Sequence, residues 1–363
     1  MPAQPLRAGV IGLGVGGAHA EGYLRAPGAE LVALCDTNEA RLRERGQKYD
    51  VPAEGLYTSY PDMLERAQLD IVSVCLPNAL HAEASIRALE AGCHVLCEKP
   101  LAPSVDEVRD MIKAARLNDR RLMVAYNHRY RADMAWVRRM HAEKRLGTIY
   151  RVDAWWRRET GIPGWGTFSQ QQFSGGGALI DLGVHVLDLA LWMLDFPAVH
   201  NVSGMVRASF GPRGQKAWGG PPAVFDVDDW GEGYIRLAGG TTIHLQASWA
   251  EHRTPGDDLI RLEFQGTEGT AVVNIPNYTK TDTLRFYTEM AGAPVTVIPA
   301  VRWSAPAGHE ALIADCLISL ASGAPSPTDA TQGLIAVRIL EAIYHSAQTG
   351  REVSFETMPD MMV

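Results

Sequence analysis

The run Ala8–Ile11 leads directly into Gly12-Leu13-Gly14-Val15-Gly16-Gly17, and a segment of helical character follows the glycines. A second apolar run, Leu31–Cys35, then ends on Asp36, nineteen positions after Gly17. That order leaves few options. Gly12 permits a tight strand-to-helix turn, Gly14 lets the backbone approach a pyrophosphate, and Gly17 allows close helix packing. Leu13, Gly14 and Val15 are expected to line the phosphates, with amides at the helix start facing the negative charge. Asp36 is placed to accept bonds from ribose hydroxyls and to repel a 2′-phosphate. NAD is therefore expected over NADP, with the nearby Arg41 pulling the other way.

Further apolar runs follow at Ile71–Leu76, His94–Cys97 and Leu122–Ala125, alternating with helix-period segments such as Ala79–Glu90 and Val105–Arg116. Buried strands joined by crossover helices give a doubly wound parallel α/β sheet. After Tyr130 the pattern changes. Ala132–Ala142 reads as a linking helix, Thr148–Arg158 as a strand, and Gly161–Gly177 as an irregular loop. Strand-like stretches follow at Val224–Leu237, Thr241–Trp249, Leu259–Gln265, Thr270–Ile275 and Thr283–Tyr287, for which an antiparallel sheet is the simplest assembly. Two helical segments, His309–Ala321 and Thr331–Thr349, close the chain, the second stopping before Gly350. At 363 residues two domains are expected. They divide as a dinucleotide-binding domain over 1–130 and an α+β domain for substrate binding and oligomerisation over 131–363.

Composition removes several classes of function. Lys and Arg number 34 against 42 Asp and Glu, and no basic block is long enough to track phosphates, so nucleic acid is not an expected partner. No apolar run approaches the roughly 20 residues of a membrane span, and the start MPAQPLRAGVIG lacks the pattern of a secretory leader. The five cysteines, Cys35, Cys75, Cys93, Cys97 and Cys316, form an odd set without a CxxC pair. Buried thiols in a reducing compartment fit this, so a cytoplasmic location is expected. Strand alternation would put His94 opposite Cys93 and Cys97, so no metal is expected there.

Three stretches then occur in order on one chain: Leu76-Pro77-Asn78-Ala79-Leu80-His81, Ala91–Pro100 with its Glu98-Lys99-Pro100 ending, and Gly175–Asp188. Together they resemble the glucose–fructose oxidoreductase and inositol dehydrogenase family (Gfo/Idh/MocA), from about residue 7 to Gly350-Arg351-Glu352-Val353. The resemblance implies a Rossmann domain followed by a large open, mostly antiparallel sheet domain that often carries the oligomer interface, hence a homodimer or homotetramer. It also implies oxidation of a ring hydroxyl of a sugar or cyclitol, or reduction of the ketone, with Lys99, Asp181 and His185 as the polar catalytic set.

Those residue types suit the chemistry. Moving a hydride from an alcohol carbon to nicotinamide requires the hydroxyl proton to leave too, and neutral imidazole at His185 can accept it. Lys99 lies just past a strand's carboxyl end, where open parallel sheets bind ligands, and can favour alkoxide character. Asp181 and His185 are four apart on an expected helix and share a face, with Asp181 as orienter or as a helix cap. Asp188 continues that face, which raises a metal reading that Lys99 as resident cation makes unnecessary. Asn78, His81, Glu98 and Lys99 follow strands three and four and are expected to border the nicotinamide ribose and carboxamide. By resemblance Asn127 borders the active site and Arg129 is an orienting or structural residue. The loop from Trp155-Trp156-Arg157-Arg158 to Trp165 mixes aromatic faces with cations, which makes Arg157 and Trp165 candidates for a polyhydroxy substrate alongside Lys99, Asp181 and His185. Two other readings use the same fold: a non-catalytic NAD-binding sensor or regulator, and an NAD-dependent glycosidase using transient oxidation.

Overall fold

A computed structural model describes residues 4–304 and 306–355. The chain forms two compact units, one from the described residues of Met1–Tyr130 and Ala305–Leu334, the other from those of Arg131–Ser304 and Ile335–Val363.

In the first unit the elements run β1 (Leu6–Ile11), α1 (Gly16–Arg25), β2 (Ala29–Cys35), α2 (Glu39–Lys48), β3 (Leu56–Tyr57), α3 (Tyr60–Arg66), β4 (Ile71–Val74), α4 (His81–Glu90), β5 (His94–Cys97), α5 (Val105–Leu117) and β6 (Leu122–Val124). The sheet order is β3-β2-β1-β4-β5-β6 with every neighbour parallel, the doubly wound order whose reversal falls between β1 and β4. All four residues of β4 are buried, as a strand covered by helices on both faces requires. Helix α5 starts on a full capping box between Ser104 and Glu107. One later helix, α9 (Gly308–Ser322), packs against α1, with Ile313 lying where a Cβ on Gly22 would sit. Leu312, Ile313, Cys316 and Leu317 join Tyr23, Val10 and Leu34 in one apolar cluster.

The second unit holds α6 (Ala132–Ala142), β7 (Ile149–Arg158), β8 (Ile162–Pro163), α7 (Gln171–Ser174), α8 (Val184–Met193), β9 (Val199–Arg207), β10 (Ala217–Trp218), β11 (Trp230–Leu237), β12 (Thr242–Ser248), β13 (Asp258–Gly266), β14 (Thr270–Pro276), β15 (Leu284–Met290), β16 (Ala293–Val297) and β17 (Val353–Ser354). Helix α10 (Ala330–Thr349) begins in the first unit and ends in the second. A nine-stranded sheet runs β16-β15-β14-β13-β7-β12-β11-β9-β17, antiparallel throughout except where β12 pairs parallel with β7. Helix α8 packs on the face formed by β7, β12 and β13. By length and mean hydropathy alone Gln171–Met193 could cross a membrane, although Asp181, His185 and Asp188 interrupt it. In the fold, 89% of its most apolar stretch is buried, which is the position of a core helix. The short pair β8 and β10 makes a separate parallel ribbon.

Two strands of five or more residues, β9 and β16, were not anticipated, nor were the two-residue strands β3, β8, β10 and β17. In β9 the exposures are mixed rather than alternating, and β16 has no buried residue, so neither carries the period-two signal that marks a half-buried strand. Burial of Ile313 is complete, so Ile313→Ala is expected to lower stability by about 2–5 kcal/mol. A chemical unfolding curve with an unmoved midpoint would show that α9 is not part of the first unit's core.

Candidate active site

The phosphate loop is built as its glycines require. Gly12 has φ +86°, and a Cβ there would meet the Cys75 carbonyl oxygen at 2.4 Å, so no other residue fits. At Gly14 a Cβ would meet nothing within 4 Å, which leaves open space for a ligand to approach the backbone. The N-terminus of α1 follows at Gly16. These features fit a dinucleotide's pyrophosphate.

Asp36 ends β2 and is buried. Its Oδ2 accepts from the Leu13 amide at 2.9 Å and from Arg41 at 3.2 Å, and Oδ1 accepts from the Asn38 amide at 2.8 Å. The Leu13 amide is therefore spent on Asp36 and its side chain on the core, so Leu13 supports the loop from behind. Arg41 is the carboxylate's ion partner.

Around the end of β5 the residues fall into two networks. His81 is wholly buried, with Nδ1 2.8 Å from the Pro100 carbonyl and Nε2 2.8 Å from the Leu76 carbonyl. Burial lowers its pKa, against the pull of both carbonyls. Both nitrogens face backbone carbonyls, of which the neutral ring can donate to one at a time, so His81 is packed between the turn after β4 and the turn after β5. Asn78 and Lys99, each half-buried, stand on these two turns.

The second network centres on Glu98. Its Oε1 lies 3.0 Å from His19 Nε2 and 3.1 Å from His309 Nε2, and Oε2 accepts from the Lys99 amide at 3.1 Å. His19 Nδ1 lies 2.9 Å from Ser73 Oγ, which meets Tyr23 OH at 2.9 Å, while Asn127 Nδ2 lies 3.4 Å from His309 Nδ1. One proton arrangement satisfies every contact. Tyr23 donates to Ser73, Ser73 to His19, both histidines donate from Nε2 to Glu98, and Asn127 donates to His309. Burial by itself would raise the Glu98 pKa, yet the bonds from His19 and His309 outweigh it and hold the carboxyl well below its usual range. Burial lowers His19.

The three ligand atoms are also close enough together to hold a metal ion. Metal binding would need both Nε2 lone pairs, the atoms that otherwise carry the protons donated to Glu98. Neither His19 nor His309 was singled out from the sequence. His19 carried a weak signal, two residues past Gly17 on the helix that opens the phosphate loop; His309 carried none.

In the second unit, a π-type turn at Leu179–Gly183 runs into α8 and carries Asp181, while His185 sits on the first turn of α8. The start of this segment is fixed by Asp228, which accepts from the Gly177 amide at 2.7 Å, the Leu179 amide at 3.1 Å and Tyr344 OH at 2.7 Å. A Cβ on Gly177 would stand 1.7 Å from the Asp228 carbonyl oxygen, so this close approach demands glycine. Capping thus falls to Asp228. Asp181 instead accepts from Trp249 Nε1 at 2.9 Å and is half-buried. His185 is buried, its ring centroid 5.4 Å from that of Trp156. Asp188, farther along α8, is buried too.

Strand β7 separates the candidate substrate residues. Trp156 and Arg158 point to the side of α8, whereas Trp155 and Arg157 point to the opposite, half-exposed face. Arg157 there makes paired bonds to Glu251 at 2.7–3.0 Å. The cation on the His185 side is Arg158, bonded to Asp258 at 2.9 Å and to Tyr278 OH at 2.7 Å. Period-two alternation along β7 carried the signal that would have chosen Arg158 over Arg157. Trp165 is exposed, beyond β8. Arg129 is structural: it donates to the Pro327 carbonyl at 3.1 Å and to Gln332 at 2.8 Å.

Comparison with known proteins gives the same class. Residues 6–126 match the oxidoreductase family with an NAD-binding Rossmann fold, and residues 134–272 match the GFO/IDH/MocA C-terminal domain. D-glucoside 3-dehydrogenase of Escherichia coli (strain K12) is 33% identical over 360 residues, covering 97% of this chain and 98% of the relative. Levoglucosan dehydrogenase of Pseudarthrobacter phenanthrenivorans is 30% identical over 75% of this chain and 74% of its own length. The structure of a levoglucosan dehydrogenase in complex with NADH superposes with a TM-score of 0.83 at 26% identity, covering 97% of this chain and 99% of that one. The chain belongs to the Gfo/Idh/MocA oxidoreductase family, and its cofactor is NAD.

Two expectations follow. Asp36→Ser removes the charge that repels a 2′-phosphate and releases Arg41, so the ratio of kcat/KM with NAD to that with NADP should fall by about a hundredfold or more. An unchanged ratio would show that Asp36 does not select the cofactor. His19, His81, His94 and His141 are all held below the ordinary histidine value of 6.5. The unfolded chain therefore takes up protons that the folded chain refuses, so stability is present above pH 6.5 and declines below it. Glu98, held below its ordinary 4.5, adds its loss at lower pH, as the pH falls through its folded value. Thermal unfolding between pH 7.5 and 4.5 should show Tm falling from about pH 6.5 downward; a flat Tm from 7.5 to 5.5 would contradict it.

Proposed function

We propose that the chain is an NAD-dependent dehydrogenase acting on a hydroxyl of a sugar or related polyol, with His185 as its acid–base residue. The observation that carries this reading is the second unit's polar pair, Asp181 and His185, on a segment locked by Gly177 and Asp228 and bordered by Trp156 and Trp249. Two relatives named above act on a glucoside and on levoglucosan, and the fuller match spans almost the whole chain.

When bound, NAD supplies the hydride acceptor. His185 takes the hydroxyl proton as the carbonyl forms and returns it in the reverse direction. Asp181, held by Trp249, orients a substrate hydroxyl. Lys99 favours alkoxide character with its ammonium, on a turn whose backbone is pinned by Glu98 and His81. Asn78 and Asn127 serve the nicotinamide end of the cofactor. Five free, buried thiols support a cytoplasmic setting. The sheet face bearing Arg151, Asp153, Trp155 and Arg157 is the surface through which a homodimer or homotetramer would assemble.

His185→Ala is expected to lower kcat about 10²–10⁴-fold at saturating substrate, with NAD affinity, read by fluorescence titration, unchanged. Incubation with NAD and a panel of polyols, inositols and glycosides should yield NADH with the wild-type protein. A variant with wild-type kcat would remove His185 from the chemistry, and aglycone release without NADH would favour a transient-oxidation glycosidase.

A further inference from the structure

Two indoles at the ribbon of β8 and β10, Trp218 on β10 and Trp165 just beyond β8, are left unburied by the fold. Trp165 is 53% exposed and Trp218 39% exposed, yet their rings are parallel to within 1° with centroids 6.5 Å apart. The ribbon is tightly made: the Gly164 amide donates to the Trp218 carbonyl at 3.0 Å, and a Cβ on Gly164 would stand 2.0 Å from the Gly220 carbonyl oxygen. Trp218 is braced by Arg158, whose guanidinium lies 4.9 Å from its ring centroid and 5.3 Å from that of Trp156. Trp156 in turn contacts His185. A continuous run of rings and one cation thus leads from His185 through Trp156, Arg158 and Trp218 to Trp165, all within the second unit.

Large aromatic side chains held parallel and left in water mark a binding surface. Their flat apolar faces match the C–H face of a pyranose or an aryl ring, and Arg158 is already neutralised by Asp258. We propose that Trp165 and Trp218 form a subsite for the second ring of a two-ring glycoside, the ring that is not oxidised. This rests on the assignment of His185 to sugar oxidation and extends it: the substrate class is a glycoside whose aglycone is itself a sugar or aryl ring.

The test compares wild type, Trp165→Ala, Trp218→Ala and Trp165→Phe on glucose, methyl glucoside, a glucose disaccharide and 4-nitrophenyl glucoside, following NADH. The alanine variants should raise KM for the two-ring substrates about tenfold or more and change KM for the one-ring substrates by much less. Trp165→Phe should retain most of the preference. A larger effect with the nitrophenyl compound assigns the subsite to aryl aglycones, and a larger effect with the disaccharide assigns it to sugars. Equal losses on one-ring and two-ring substrates, or none, overturn the proposal. Calorimetric titration of the NAD-loaded protein with the disaccharide and with 4-nitrophenyl glucoside separates it from the assignment on which it rests. Tighter binding of either by wild type than by the Trp165→Ala variant supports the subsite even where no NADH forms, and equal binding of both removes it. Sedimentation showing that Trp165→Ala dissociates an oligomer would make the pair a subunit contact and also overturn it.

Discussion

A buried carboxylate whose oxygens are claimed by donors from distant segments organises each unit. Glu98 gathers α1 through His19, α9 through His309 and its own following amide. Leaving such a charge in the interior without donors would cost several kcal/mol, so the segments that supply them are not optional. The same demand explains why a helix more than two hundred residues after β5 belongs to the first unit. Apolar packing of Ile313 over Gly22 holds α9 in place, and His309 on its first turn completes the shell of Glu98.

In the second unit Asp228 has the corresponding task. Two backbone amides of the glycine-rich entry and the hydroxyl of Tyr344 converge on it, while burial pushes its pKa up against those bonds. Gly176 and Gly177 are small because Tyr344 and Asp228 occupy the space where their side chains would be. Glycine at these positions therefore serves packing, and through packing it serves the placement of Asp181 and His185. Functional side chains on a helix are only as well placed as its entry.

Much of the fold could be read in advance because its strongest signals are local. Parallel strands buried on both faces appear as short apolar runs, and the phosphate loop needs glycine at Gly12 for steric reasons alone. Lys99, Asp181 and His185 stand on segments that carry their own motifs. What escaped was non-local. His309, Asp228, Trp218 and Tyr278 lie in stretches whose local pattern says nothing of their partners, and only the assembled sheet brings Asp258 and Tyr278 to Arg158. The parallel pairing of β7 with β12 inside an otherwise antiparallel sheet is of the same kind, since no periodicity distinguishes it.

Arg157 and Arg158 show what a one-residue step along a strand decides. Both are cations beside tryptophans, and composition alone ranks them equally as hands for a ligand. Alternation sends Arg157 to a face where Arg151 pairs with Asp153, Arg261 with Glu263 and Arg157 itself with Glu251. Charges there are matched laterally, each by a neighbour on the same face. Arg158 goes to the side of α8, but Asp258 and Tyr278 already answer its charge and its donors. A free carboxylate or phosphate on the substrate would have to compete with Asp258 for that guanidinium and bear the desolvation cost of doing so. A neutral polyhydroxy ring faces no such competition, because it needs hydroxyl partners and aromatic faces rather than a counter-charge. The guanidinium on the α8 side of β7 is thus a matched charge that braces Trp156.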